Sequence, residues 1–170
     1  AHDHDCRVHV DGARIFNAAI AAGVPASDYG RHTDSIMFCL SKSLSCPLGS
    51  VLCGSSEFID AARRARARLG GGMRQAGVIA AAGIVALETM IDRLADDHRR
   101  ARDLARGIDA LPGLSVDMSS VETNMVNARP EPNTSTLEEW IDALENQGLR
   151  SVDHLPAALR FVLHRHHTDA

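Results

Sequence analysis

A continuous apolar run, Ser35 to Leu40 (Ser-Ile-Met-Phe-Cys-Leu), constrains the fold of this chain more than any other feature. A strand that is apolar at successive positions is buried on both faces, so it needs a layer above and a layer below. The surrounding sequence alternates in the way such a layered sheet requires. Arg7 to Val10 reads as a short strand ending at Asp11-Gly12, and Ile15, Phe16, Ala19 and Ile20 then fall at helical spacing until Gly23 and Pro25. After the Ser35–Leu40 strand come the Pro47–Gly49 turn, a second apolar run from Ser50 to Cys53, and an arginine-rich helix reaching Leu69 with Ser55 or Ser56 as its cap. Gly70-Gly71-Gly72 breaks the chain before a very apolar helix from about Gln75 to Met90. A long amphipathic helix follows, with Leu94, His98, Ala101, Leu104, Ala105 and Ile108 on one face and Pro112-Gly113 at its end. Beyond it, Leu114–Val116, Asn124–Ala128 and Leu159–Leu163 read as strands, and Thr136–Gln147 as a helix opened by a Thr136–Glu139 capping box. The expected fold class is α/β: a mostly parallel layer with helices on both faces over residues 1–90, then a linking helix and a small α/β domain over 91–170.

Composition narrows the function classes. The 170 residues carry a net charge of −4, which disfavours general nucleic-acid or membrane-surface binding, both of which call for a basic excess. No apolar run approaches the roughly 20 residues that span a bilayer, and the polar start Ala1-His2-Asp3-His4-Asp5 has no signal-peptide core, so a cytoplasmic setting is expected. Cys6, Cys39, Cys46 and Cys53 show no CxxC pair or zinc spacing and read as small buried thiols. His2 and His4 at one end, and His164, His166 and His167 at the other, read as exposed, partly ordered tails, and no metal is assigned.

One lysine stands among 17 arginines. Lys42 follows the buried strand directly, among Ser41, Ser43, Ser45 and Gly49. Arginine supplies no deprotonatable nucleophile at ordinary pH, whereas a desolvated lysine does; chance placement on the surface is the alternative. Asp11 ends one strand and opens a helix, where ligands bind in open α/β sheets. Spacing alone favours a helix-capping role for it, but paired with Lys42 it would give pyridoxal 5′-phosphate (PLP) both an amine for the imine and an acid for the ring nitrogen. Arg14 on the first helical turn can face the same crevice. Arg74, after the glycine triplet and before a helix, suits a phosphate. Arg160, in the apolar stretch Ala157–Leu163, is paired either with a ligand carboxylate or with an internal acid.

Three motifs together resemble the low-specificity L-threonine aldolases: His9-Val10-Asp11-Gly12-Ala13-Arg14-Ile15-Phe16-Asn17-Ala18, Cys39-Leu40-Ser41-Lys42 and Gly70-Gly71-Gly72-Met73-Arg74-Gln75. These are PLP enzymes of the aspartate-aminotransferase fold (fold type I), within the β-eliminating lyase superfamily. The resemblance implies that Lys42 is the PLP lysine and that Asp11 pairs with the pyridine nitrogen. It implies that Arg14 and Arg160 bind the substrate carboxylate and that Ser41 and Arg74 contact the phosphate, Arg74 from a neighbouring subunit. It further implies cleavage of L-threonine, L-allo-threonine and related 3-hydroxy amino acids to glycine and an aldehyde, by a homotetramer built as a dimer of dimers with shared active sites. A related β-eliminating lyase is the alternative chemistry.

The sequence departs from the family's pattern in two places. After the lysine the family typically continues Gly-Leu-Gly-Ala-Pro, where this chain has Ser43-Leu44-Ser45-Cys46-Pro47; serine restricts the backbone wherever φ is positive. A lysine often found before the glycine triplet is replaced by the stretch Arg66-Ala67-Arg68. Family members also begin roughly 150 residues earlier, from which the expectation is a fragment whose isolated form binds the cofactor weakly or is non-catalytic.

Overall fold

The computed structural model describes residues 1–149, 153–155 and 158–169, with residues 153–155 described by backbone alone. It divides into two compact units, Ala1–Arg93 and Leu94–Ala170.

In the first unit, β1 (His9–Asp11), β2 (Ser35–Cys39) and β3 (Ser50–Gly54) form a three-stranded sheet in the order β1-β2-β3. The pairing of β1 with β2 is parallel, with His9 opposite Ser35 and Asp11 opposite Met37. The pairing of β2 with β3 is antiparallel, from Ser35 opposite Gly54 to Cys39 opposite Ser50. The mostly parallel layering expected from the sequence therefore holds for one pairing of the two. The physical reason is connection length: a parallel return needs a crossover of about a dozen residues or more, and the segment between Cys39 and Ser50 is too short for one.

The helices of this unit are α1 (Ile15–Ala22), α2 (Ala26–Arg31), α3 (Ser56–Arg68) and α4 (Gly77–Thr89). Ser55 caps α3, its side chain accepting a hydrogen bond from the Phe58 N–H at 3.2 Å. Helix α1 ends at Gly23, whose φ of 67° lies in the left-handed region that glycine adopts without strain. The short helix α2 has no counterpart in the sequence reading. The core is built from Leu40, Leu44, Cys46 and Ala86, with Phe16, Phe38, Ala82, Met90 and others packed around it. Phe16 and Phe38 meet edge to face, with ring centroids 5.2 Å apart. Helix α4 is apolar on all sides, yet only Gly83 and Ala86 are buried on it, while Val78 is 81% and Val85 58% exposed.

In the second unit, α5 (Leu94–Asp109) lies against β4 (Leu114–Val116) and β5 (Met125–Pro130). The remaining elements are α6 (Leu137–Asn146), β6 (Asp153–Leu155) and β7 (Ala158–Val162). The four strands form an antiparallel sheet in the order β4-β5-β7-β6. The amphipathic stripe of α5 buries Leu94, His98, Ala101, Ala105 and Ile108, and Asp97 joins them as a fully buried acid that the hydrophobic pattern did not reveal. Val126, Ala128 and Leu159, all at 0% exposure, form the centre of this core. Helix α6 opens with the expected capping box: Thr136 Oγ1 accepts from the Glu139 N–H at 3.2 Å, and Glu139 Oε2 accepts from the Thr136 N–H at 2.8 Å.

The cysteines differ from the sequence reading. Cys46 alone is buried, and burial pushes its thiol pKa up; Cys6 and Cys53 are exposed and Cys39 is intermediate. The N-terminal segment is also more ordered than a tail: His2–His4 form a 3-10 turn, tied by a 2.9 Å contact between His2 Nε2 and Asp34 Oδ2.

Candidate active site

Parallel pairing places the carboxyl ends of β1 and β2 at the same edge of the sheet, and these ends carry the two residues singled out by their chemistry. Asp11 is the last residue of β1, and Lys42 lies three residues beyond the end of β2. The loops that follow the two strands are stitched together. Gly12 N–H donates to the Met37 carbonyl at 2.9 Å, and Cys39 N–H donates to the Ala13 carbonyl at 3.3 Å. A Cβ at Gly12 would stand 3.0 Å from that Met37 carbonyl oxygen, so glycine is what lets the loops approach this closely.

Asp11 does not cap the helix after it. Helix α1 begins at Ile15 with Arg14 at its N-cap, while Asp11 Oδ1 accepts from the Ala13 N–H at 3.2 Å and closes a local turn. The helix starts three residues later than spacing suggested, because Gly12 and Ala13 hydrogen-bond to Met37 and Cys39 at the end of β2. Among the described residues, the second carboxylate oxygen of Asp11 has no hydrogen-bond partner, and the side chain is exposed. Arg14, in the same segment, is half-buried.

Ser41 and Lys42 are exposed in the loop joining β2 to β3, so the desolvation expected of a nucleophilic lysine is not supplied by the described residues of this chain. Among the described residues Lys42 makes no ion pair, so its ammonium group has no acidic partner competing with a ligand. The loop beneath it is anchored: Leu40 N–H donates to the Gly49 carbonyl at 2.9 Å, and Cys46 N–H donates to the Leu40 carbonyl at 3.1 Å. Arg74 lies exposed in the turn before α4, whose N-cap residue Ala76 offers no side-chain oxygen to the first-turn N–H groups.

Arg160 belongs to the second unit, on β7. Its Nε donates to Oδ1 of Asn127, its neighbour across the β5–β7 ladder, at 3.1 Å. Among the described residues the internal partner is thus a neutral amide and not the acid that was one of the two alternatives. Arg160 lines a cavity of about 600 Å³ with Arg99, Arg100, Leu104, Phe161 and Asp169 among its walls. Asp169 closes one side, accepting from Arg99 Nη2 at 2.9 Å and from Arg100 Nε at 2.8 Å. Those two contacts, Arg100 first, hold its carboxyl below the usual range. The start of the Ala157–Leu163 stretch, Ala157 itself, lies outside the described residues. Among the described residues no group of three or more His, Cys, Asp or Glu side chains is placed to hold a metal ion.

Sequence reasoning flagged Ser43 and Ser45 as restrictive if φ were positive; the structure assigns that conformation to Ser45, at φ 61°, and not to Ser43. It missed the Gly12–Met37 and Cys39–Ala13 contacts that couple the two loops, which involve backbone atoms and leave no side-chain signal.

Comparison with known proteins places this geometry in a family. The chain is 42% identical over 165 residues to low-specificity L-threonine aldolase 1 of Arabidopsis thaliana, covering 96% of this chain and 46% of that protein. It is 42% identical over 142 residues to the low specificity L-threonine aldolase of Escherichia coli K12, covering 83% of this chain and 42% of that one. The chain spans about half the length of the curated relatives it matches. Its fold is shared with a crystal structure from Exiguobacterium sp. 255-15 described as an aromatic amino acid beta-eliminating lyase/threonine aldolase, at TM-score 0.81 and 23% identity, over 96% of this chain and 48% of that one. The α/β architecture is accordingly that of fold type I. The beta-eliminating lyase family model matches residues 1–131, which contain Asp11, Arg14, Ser41, Lys42 and Arg74, and the chain belongs to that family.

Proposed function

We propose that this chain forms part of a PLP-dependent aldolase that cleaves L-threonine, L-allo-threonine and related 3-hydroxy amino acids to glycine and an aldehyde. The observation that carries this reading is the exposed Lys42, without an acidic partner among the described residues, at the same sheet edge as Asp11 with its open carboxylate oxygen. An amine and an acid at one edge fit the two ends of a pyridoxal ring. When bound, PLP supplies an electron sink for the pair left on Cα as the Cα–Cβ bond breaks. The remaining work falls to the protein. Lys42 Nζ would hold the cofactor covalently, and Asp11 would keep a proton on its ring nitrogen. Ser41 would hold the phosphate from its own chain, and Arg74, with the uncapped first turn of α4, would reach it from a neighbouring subunit. Arg14 and Arg160 are the candidates for the substrate carboxylate; Asn127 holds the Arg160 guanidinium through Nε, and among the described residues its terminal nitrogens remain for a two-pronged contact.

On this reading residues 1–90 are the C-terminal part of the large PLP-binding domain and residues 91–170 are the linking helix and small domain. The protein works in the cytoplasm, in threonine breakdown and glycine formation, as a dimer of dimers in which Arg74 serves a neighbouring subunit's site. No helix among the described residues is long and apolar enough to cross a membrane, in keeping with that setting. Product analysis tests the reaction. Incubating the enzyme of which this chain forms part with L-threonine and PLP is expected to yield glycine and acetaldehyde in equal amounts; a 2-keto acid with ammonia would identify a β-eliminating lyase instead.

A further inference from the structure

We infer that Ser45 is a positioning residue for Lys42, its left-handed backbone setting the direction in which the amine is presented. This rests on reading Lys42 as the cofactor lysine. The segment from Lys42 to Ser45 is a tight turn, closed by a hydrogen bond from the Ser45 N–H to the Lys42 carbonyl at 2.8 Å. Ser45 has φ 61°, a conformation in which the Cβ of an L-residue crowds the backbone. The other non-glycine residues with positive φ among those described are Asp5 and Asn133, both of types that tolerate it; serine is less suited.

What the strained residue achieves is visible in its neighbours. Leu44, immediately before it, is buried at 4% exposure, and Cys46, immediately after it, at 8%. Cys46 also returns its N–H to the Leu40 carbonyl at 3.1 Å and its Sγ to the Ala82 carbonyl on α4 at 3.4 Å. Both flanking side chains reach the same core cluster only because the chain reverses between them. With an extended backbone at Ser45, Cys46 would be carried away from α4, the turn would open, and the Cα–Cβ direction of Lys42 would be lost. Strain of this kind at a functional loop persists where the surroundings over-determine it.

The single lysine makes the test direct. The 170-residue chain and its Ser45→Asn, Ser45→Gly and Ser45→Val variants are treated with PLP and cyanoborohydride. The Lys42 nitrogen adds to the aldehyde carbon, water leaves, and hydride reduces the resulting C=N bond to a stable secondary amine, counted on the Lys42 peptide by mass spectrometry. A small acylating ester, in parallel, reports amine exposure alone. Asparagine and glycine accept positive φ, so trapping in those variants is expected within about twofold of the parent rate. Valine resists it, and trapping is expected to slow by about tenfold while acylation is unchanged. If Ser45→Val does not fold, Ser45→Thr, which keeps the hydroxyl and adds the β-branch, carries the same expectation. Parent-like trapping in the β-branched variant, a loss in Ser45→Asn as deep as in Ser45→Val, or a parallel fall in acylation overturns the inference. Trapping in the parent no faster than in the denatured chain is a different result: it means that these 170 residues do not form the cofactor site alone, and it overturns the inference for the isolated chain.

Discussion

Lys42 and Asp11 are informative because each is placed where its chemistry is unspent. The lysine has no acidic partner among the described residues, and Asp11 commits one oxygen to the Ala13 N–H and leaves the other open. Replacing Asp11 by Asn keeps an oxygen for the Ala13 turn but removes the charge that would hold a ring proton. The Asp11→Asn variant is therefore expected to retain stability within about 0.5 kcal/mol in urea denaturation. Its aldolase rate is expected to fall by about a hundredfold or more, the scale of an acid–base contribution. A full-rate Asp11→Asn enzyme would remove Asp11 from the site. At this scale the sequence was legible where chemistry is rare, as with one amine among 17 arginines. It was illegible where the answer depended on backbone geometry: capping by Asp11 failed because Gly12 and Ala13 bond to the end of β2 before the helix begins.

Elements were legible in proportion to the local chemistry at their ends. Ser55 and the Thr136–Glu139 pair announced the starts of α3 and α6 because caps are local. Helix α2 was missed because its six residues, Ala-Ser-Asp-Tyr-Gly-Arg, are too short and too polar to show a period. The connection from β2 to β3 depends on Gly49, at φ 110°, where an added Cβ would stand 3.2 Å from Ile79 Cγ2. Gly49→Ala is expected to cost about 1–3 kcal/mol, read as a lowered urea midpoint, because strain and crowding act together. Helix α5 makes a prediction about pH. Burial, reinforced by Arg102 and opposed by Asp97, holds His98 below its ordinary value of 6.5. A depressed folded pKa means that the unfolded chain takes up the proton first. The stabilising contribution is therefore complete above pH 6.5 and is lost as pH falls from there through the folded value. Urea midpoints of the parent are expected to decline from pH 7.5 to 5.0 more steeply than those of His98→Gln; equal slopes would show that His98 does not titrate in this way.

At the scale of the whole molecule, two independent cores support two sets of candidate residues, Asp11, Arg14, Ser41, Lys42 and Arg74 in one unit and Arg160 in the other. Each core is small, so single truncations are costly. Leu159→Ala, at a position with 0% exposure beside Arg160, is expected to lose about 2–5 kcal/mol, observed as a lowered melting temperature. The alternation of apolar strands and helices made the α/β class readable from sequence, and the short connection between the Ser35–Leu40 and Ser50–Cys53 runs already carried the antiparallel β2–β3 pairing that the expectation of a mostly parallel layer overlooked. The central claim is that Lys42 binds PLP covalently, and one absorbance titration tests it most directly. Adding PLP to the enzyme of which this chain forms part is expected to raise a band at the edge of the visible range that free PLP lacks, and that band is expected to vanish in Lys42→Ala. Persistence of the same band in Lys42→Ala would contradict the account.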